Sequence, residues 1–247
     1  MKNRIIIGLL LFVLFLGIAL LDIFWLNFLI FGIILATAFL ESLKLYKIEQ
    51  KNLVFIALVF YGILPFLQGI NDIFKVILLN LIIILSVLAY TKSDNMKLIL
   101  PFLYPTVPIF MMFALYQNYG IECLFWLIFT IIISDTAAYF VGKYLGRHPF
   151  SASSPNKTIE GVIGGVVFGS VFGTVFAFIF VDVGYFMAAS CSILLTIFGV
   201  FGDLFESYLK RRVDIKDSGA LLGAHGGILD RMDGYLFGVV AMFLVLA

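Results

Sequence analysis

Long apolar runs follow one another along almost the whole chain, separated by short polar joints. A helix needs about 20 mostly apolar residues to cross a bilayer. On that scale the pattern predicts nine spans, near 5–21, 24–40, 53–69, 73–90, 97–116, 121–141, 161–181, 185–206 and 232–247. A tight turn at Asp22–Asn27 joins the first two. Pro101, Pro105 and Pro108 predict a kinked or partly unwound start to the fifth. The first run, behind Met1-Lys2-Asn3-Arg4, reads as a span rather than a cleaved leader, because more spans follow at once and its small-residue site at Gly17 and Ala19 is poor.

Composition agrees with the pattern. Of 247 residues 63% are hydrophobic and 13% charged, against roughly 25% charged in a soluble domain. The expected fold class is an all-α polytopic integral membrane protein with about nine transmembrane helices and a cytoplasmic N-terminus. Cys123 and Cys191 both lie in apolar runs and read as buried thiols, not as a disulfide framework or a zinc site.

The charges fix the orientation. With the N-terminus inside, every one of the 16 Lys and Arg residues except Lys75 falls in a cytoplasmic segment, as the positive-inside rule requires. Two cytoplasmic loops are long, 142–160 and 207–231, so any site is built from them and the adjoining helix ends. The chain thus divides into N-terminal transmembrane helices, 1–118, and C-terminal catalytic helices with both loops, 119–247. Nothing in the pattern points to nucleic acid.

Polar chemistry gathers between Ser207 and Asp233. Asp135, Asp203, Glu206 and Asp233 are acids in or beside apolar runs, where an ionised carboxylate costs at least roughly 2.5–3.5 kcal/mol and is normally paired or functional. The topology places all four near the cytoplasmic boundary. Asp203, Glu206, Ser207 and Lys210 share one helix stripe, and Asp230 and Asp233 are three apart. Such carboxylates suit a hard cation, since magnesium commonly takes one or two carboxylates plus substrate phosphates; a plain Glu206–Lys210 ion pair is the simpler alternative. Ser154-Pro155-Asn156-Lys157-Thr158-Ile159-Glu160-Gly161 reads equally as an anion cradle or as a helix capped by Thr158 beside an ordinary lysine. Gly165, Gly169 and Gly173, four apart, predict close helix packing. His225-Gly226-Gly227 permits close approach of a ligand.

These residues resemble a known family. Ser207, Lys210, Arg211, Lys216, Asp217, Gly219, Leu222, Gly223, His225, Gly226, Gly227, Asp230, Arg231 and Asp233 follow the signature of phosphatidate cytidylyltransferases. Ser134 to Tyr139, Ser154 to Gly161 and Gly202 to Ser207 look like further family motifs. The resemblance is strong over roughly 120–235 and rests on hydropathy before that.

The resemblance implies magnesium-dependent transfer of a cytidylyl group from CTP to phosphatidate, giving CDP-diacylglycerol and pyrophosphate in phospholipid biosynthesis. It implies an enzyme of a bacterial inner membrane, a homodimer, with its active site facing the cytoplasm. On that reading Asp203, Asp230 and Asp233 are the metal ligands, with room for a second cation. Lys210, Asp217, Arg231 and His225 carry the reaction. Ser154, Lys157, Thr158, Glu160, Ser207, Arg211, Lys216 and Asp135 contact substrate. Related CTP-dependent lipid enzymes, a polyprenol kinase or an ether-lipid cytidylyltransferase, share much of the pattern. A secondary transporter would spread its polar residues across the bilayer midplane; here they gather at one face.

Overall fold

The computed structural model describes residue 17, residues 21–67, 69–221 and 223, and residues 226–246. The expected first span, Leu222 and His225 lie outside the described residues, apart from Gly17 and Leu21. Within them the chain is helical: α1 (Phe24–Tyr46), α2 (Leu53–Tyr61), α3 (Ile70–Tyr90), α4 (Val107–Tyr119), α5 (Ile121–Leu145), α6 (Ile159–Phe180), α7 (Tyr185–Arg212) and α8 (Leu229–Leu246). Among the described residues, six helical stretches are long and apolar enough to cross a membrane: α1, α3, Met96–Tyr119, α5, α6 and α7.

Three expectations change in detail. The third span is not one long helix: α2 ends at Tyr61, and a single 3₁₀ turn, Leu64–Phe66, follows with Pro65 inside it. The loop 142–160 holds an antiparallel hairpin, β1 (Pro149–Ser151) and β2 (Ser154–Thr158), pairing Pro149 with Thr158 and Ser151 with Ser154. The loop 207–231 begins only after Arg212, because α7 continues that far. Ser207, Lys210 and Arg211 are therefore helical.

The chain forms two compact units. One takes the described residues up to Phe113 together with Asp217–Arg231; the other takes Ala114–Lys216 and the described residues from Met232 on.

In the first unit, Phe113 is ringed by Phe24, Phe28, Phe31 and Tyr61, with ring centroids 5.4–5.9 Å away. Tyr61 stacks on Phe28 and donates its hydroxyl to the Phe28 carbonyl at 2.7 Å. The proline-rich entry to α4 is unwound as expected: Phe102–Thr106 forms a wide turn with Tyr104 in a non-helical conformation. Pro105 has no N–H to offer one turn back. The Thr106 hydroxyl donates to the Pro101 carbonyl at 2.8 Å instead, and Tyr46 donates to the Tyr104 carbonyl at 3.3 Å.

In the second unit, α6 packs against α5 and α7 along its glycines. A Cβ at Gly165 or Gly169 would strike Ser134, and one at Gly173 would strike Thr130, so these glycines serve close packing. The other side of α6 leaves Ile163, Val167, Val171, Phe178 and Ile179 exposed, as suits a lipid-facing surface. Cys123 and Cys191 are free and buried. Trp126 donates from Nε1 to Ser192 Oγ at 3.0 Å inside this core.

Candidate active site

The hairpin delivers Lys157 and Thr158. Thr158 caps α6, its hydroxyl accepting from the Gly161 amide at 3.1 Å, so the capping alternative holds. Lys157, one residue earlier, forms an ion pair with Asp203 of α7. The hairpin is latched at its base by Glu160. That carboxylate accepts from the Arg147 and His148 amides at 3.1 and 3.3 Å and lies 2.5 Å from His148 Nδ1.

Lys157 and Asp203 line a cavity of about 350 Å³ with Ser134, Asp135, Tyr139, Lys143, Asn156 and Thr158. Asp135 is close enough to both Lys157 and Asp203 to feel their charges. Asp233 in α8 interacts electrostatically with Asp203, Lys210 and Asp135, and its Oδ1 accepts from the Gly234 amide at 2.8 Å.

The α7 stripe is present. Ser207 Oγ donates to Asp203 Oδ1 at 3.2 Å. Lys210 and the fully buried Glu206 pair at 3.2 Å, so that ion pair exists and Asp203 is engaged by other partners. Arg211 and Lys216 are exposed, and Ser154 lies half-buried at the start of β2.

The first unit holds Asp217, Asp230 and Arg231. Asp217 and Arg231 are exposed. Asp230 Oδ2 lies 3.0 Å from the Ser218 hydroxyl and accepts from the Ser218 amide and the Gly227 amide, both at 2.8 Å. The last runs from the second residue of α8 back to an amide that precedes the helix. His225, expected here, lies outside the described residues.

The structure adds polar residues that no sequence motif marks. Glu41 of α1 is buried and accepts from Ser218, Ile228 and Leu229. Its signal is an acid amid Phe39-Leu40-Glu41-Ser42-Leu43, far in sequence from the acids at 135–233. Tyr139, the last residue of the Ser134–Tyr139 motif, reaches the cavity beside Lys143, which no motif marked, with the Lys143 ammonium 5.8 and 5.6 Å from the Tyr139 and Tyr144 ring centres.

The family model described as the cytidylyltransferase family matches residues 2–247. The chain belongs to the cytidylyltransferase family. Among relatives, a phosphatidate cytidylyltransferase of Helicobacter pylori strain J99 is 39% identical over 99% of this chain and 91% of its own length. That of Helicobacter pylori strain 26695 is 39% identical over 88% of this chain and 81% of its own. One from Bacillus subtilis is 38% identical over 53% and 49%.

Among the described residues, no three Asp, Glu, His or Cys side chains converge as a ready-made metal cage. The donor set still suits magnesium. Oxygen ligands are its preference, and it commonly takes one or two carboxylates with substrate phosphates completing the shell. In this chain the second unit offers Asp203 at the cavity wall and Asp233 near it.

Proposed function

We infer that this membrane protein transfers the cytidylyl group of CTP to phosphatidate, giving CDP-diacylglycerol and pyrophosphate. Family membership together with the cavity carrying Asp135, Lys157 and Asp203 supports the reading most directly. In the transfer, a phosphate oxygen of phosphatidate attacks the α-phosphorus of CTP. A new P–O–P linkage forms, and the bond to the β-phosphate breaks as its electron pair leaves with pyrophosphate. The attacking phosphate is already an anion and needs no strong base. The difficulty is to hold two anions together and to steady the leaving charge, so positioning and electrostatics dominate.

Residue roles follow from charge and place. Lys157 is positioned for a phosphate and is held by Asp203. Lys210, Arg211, Lys216 and Arg231 supply further cationic contacts, with Asp217 and His225 assigned to the reaction from the signature alone. Thr158 shapes the polar wall, Ser207 steadies Asp203, Ser154 is carried forward from the signature, Asp135 orients Lys157, and Glu160 holds the hairpin. Magnesium is the proposed cofactor, with Asp203 and Asp233 as its ligands in this unit, and Asp230 is carried forward from its place in the signature. When bound, the ion would neutralise phosphate charge.

The proposed setting is the inner membrane of a bacterial cell, with nine crossings, the N-terminus and the site on the cytoplasmic side, and a homodimeric assembly. Residues 119–247 are the proposed catalytic part and 1–118 the supporting helices. The distribution of Lys and Arg favours this topology.

The deciding experiment uses CTP labelled at the α-phosphate and the purified full-length protein with magnesium. Label entering a lipid only when phosphatidate is added supports the reading. No lipid labelling by folded protein sinks it. Omitting magnesium tests the cofactor in the same assay.

A further inference from the structure

Glu41 lies near the C-terminal end of α1, is 6% exposed, and has no Lys or Arg ion partner among the described residues. A buried carboxylate needs compensation. Here it comes from one short segment. The Leu229 amide donates to Oε2 at 2.9 Å, the Ser218 hydroxyl to Oε2 at 3.2 Å, and the Ile228 amide to Oε1 at 3.2 Å. The two amides are orphan donors at the start of α8, where the helix dipole also favours a negative charge. Gly219 and Gly227 flank the carboxylate so closely that a Cβ at either position would collide with it.

The same serine reaches Asp230. A hydroxyl carries one hydrogen. Asp230 Oδ2 already receives the Ser218 and Gly227 amides, which leaves the Ser218 hydrogen available to Glu41. The three residues form a chain, Glu41 to Ser218 to Asp230, that ties Ser218 to the start of α8.

We propose that Glu41 is a positioning residue for cytidylyl transfer, holding Ser218 and the amides that open α8 and, through Ser218, the Asp230 carboxylate in their working arrangement. The inference rests on the reading of Asp217–Arg231 as part of the reacting site. A glutamine at position 41 keeps the shape but presents an amino group where a donor now points, so the three donors cannot all be met.

The test is steady-state kinetics of full-length Glu41→Gln, Ser218→Ala, their double variant and Asp230→Asn, per mole of folded protein. Glu41→Gln is expected to lower kcat about tenfold or more while KM for CTP moves less than about threefold, a pattern of lost transition-state positioning. Ser218→Ala gives the same pattern to a smaller degree, and the double variant is no slower than Glu41→Gln by more than about threefold, since both act along one path. Unchanged kcat in Glu41→Gln overturns the proposal. If that variant does not fold, an unchanged kcat in Ser218→Ala overturns it, and failure of both to fold assigns Glu41 to the fold alone. Full activity in Asp230→Asn would refute the site reading itself. An inactive Asp230→Asn beside a normal Glu41→Gln would refute only the role of Glu41.

Discussion

Gly202 of α7 lies directly against the main-chain carbonyl of Asp233 in α8, where even a methyl group has no room. Next to Gly202 stands Asp203, which interacts electrostatically with Asp233. Close backbone approach is thus what brings these two carboxylates into one electrostatic environment. A Gly202→Ala substitution must push α7 and α8 apart, and overpacking of this kind typically costs about 1–3 kcal/mol. The expected outcome is a lower melting temperature and a clear loss of cytidylyl transfer. Gly184→Ala, where nothing lies within 4 Å of the added carbon, should change neither. Calorimetry and the labelled-CTP assay check both; an active, stable Gly202→Ala would show that the approach is not needed.

Lys157 is the cation that meets Asp203 at the cavity wall. If it also contacts a phosphate of the nucleotide, Lys157→Ala removes a hydrogen bond to a charged group, worth about 1.5–3 kcal/mol. The expected result is a KM for CTP raised by about tenfold or more, with Lys157→Arg recovering part of it. A titration of CTP at saturating phosphatidate measures this. An unchanged KM would assign Lys157 to holding Asp203 only.

Much of this was legible in the chain because it follows from short-range periodicity. The spacing of Asp203, Glu206, Ser207 and Lys210 dictates one helix face, and the Ser207–Asp203 and Lys210–Glu206 contacts realise it. Four-residue glycine spacing likewise gave the packing face of α6. The hairpin was not legible. Its strands hold only Pro149–Ser151 and Ser154–Thr158, too short for an alternating pattern, and its closure depends on Glu160 reaching back to residues 147 and 148. Glu41 was hidden for another reason: its partners are 177–188 positions away in sequence, a distance that no local pattern spans.

The Glu160 latch predicts a separable effect. Glu160→Ala removes the acceptor for two backbone amides and for His148, while the Thr158 cap remains. The hairpin should then open locally without global unfolding. Amide exchange over residues 147–158 is expected to accelerate, and KM for CTP to rise with the looser placement of Lys157. His148→Ala, which spares the two amide bonds, should produce a weaker version of both. Equal exchange in Glu160→Ala and wild type would refute the latch.

Thr106 makes a prediction about the membrane part of the fold. Pro105 withholds a backbone donor in an apolar setting, and the Thr106 hydroxyl supplies one to the Pro101 carbonyl while itself almost fully buried, at 1% exposure. Valine has nearly the same shape and no hydroxyl. Thr106→Val therefore leaves a buried carbonyl without its donor, a loss of about 1–3 kcal/mol. In a chain of this length each kcal/mol shifts the melting temperature by about 2–4 °C. Thr106→Ser keeps the donor and should stay near wild type, so the difference between the two isolates the hydrogen bond from the packing. Turnover per folded molecule should be alike in both, because Thr106 repairs a helix break and touches no substrate. A Thr106→Val protein as stable as Thr106→Ser would mean that the carbonyl finds another donor when its partner is removed.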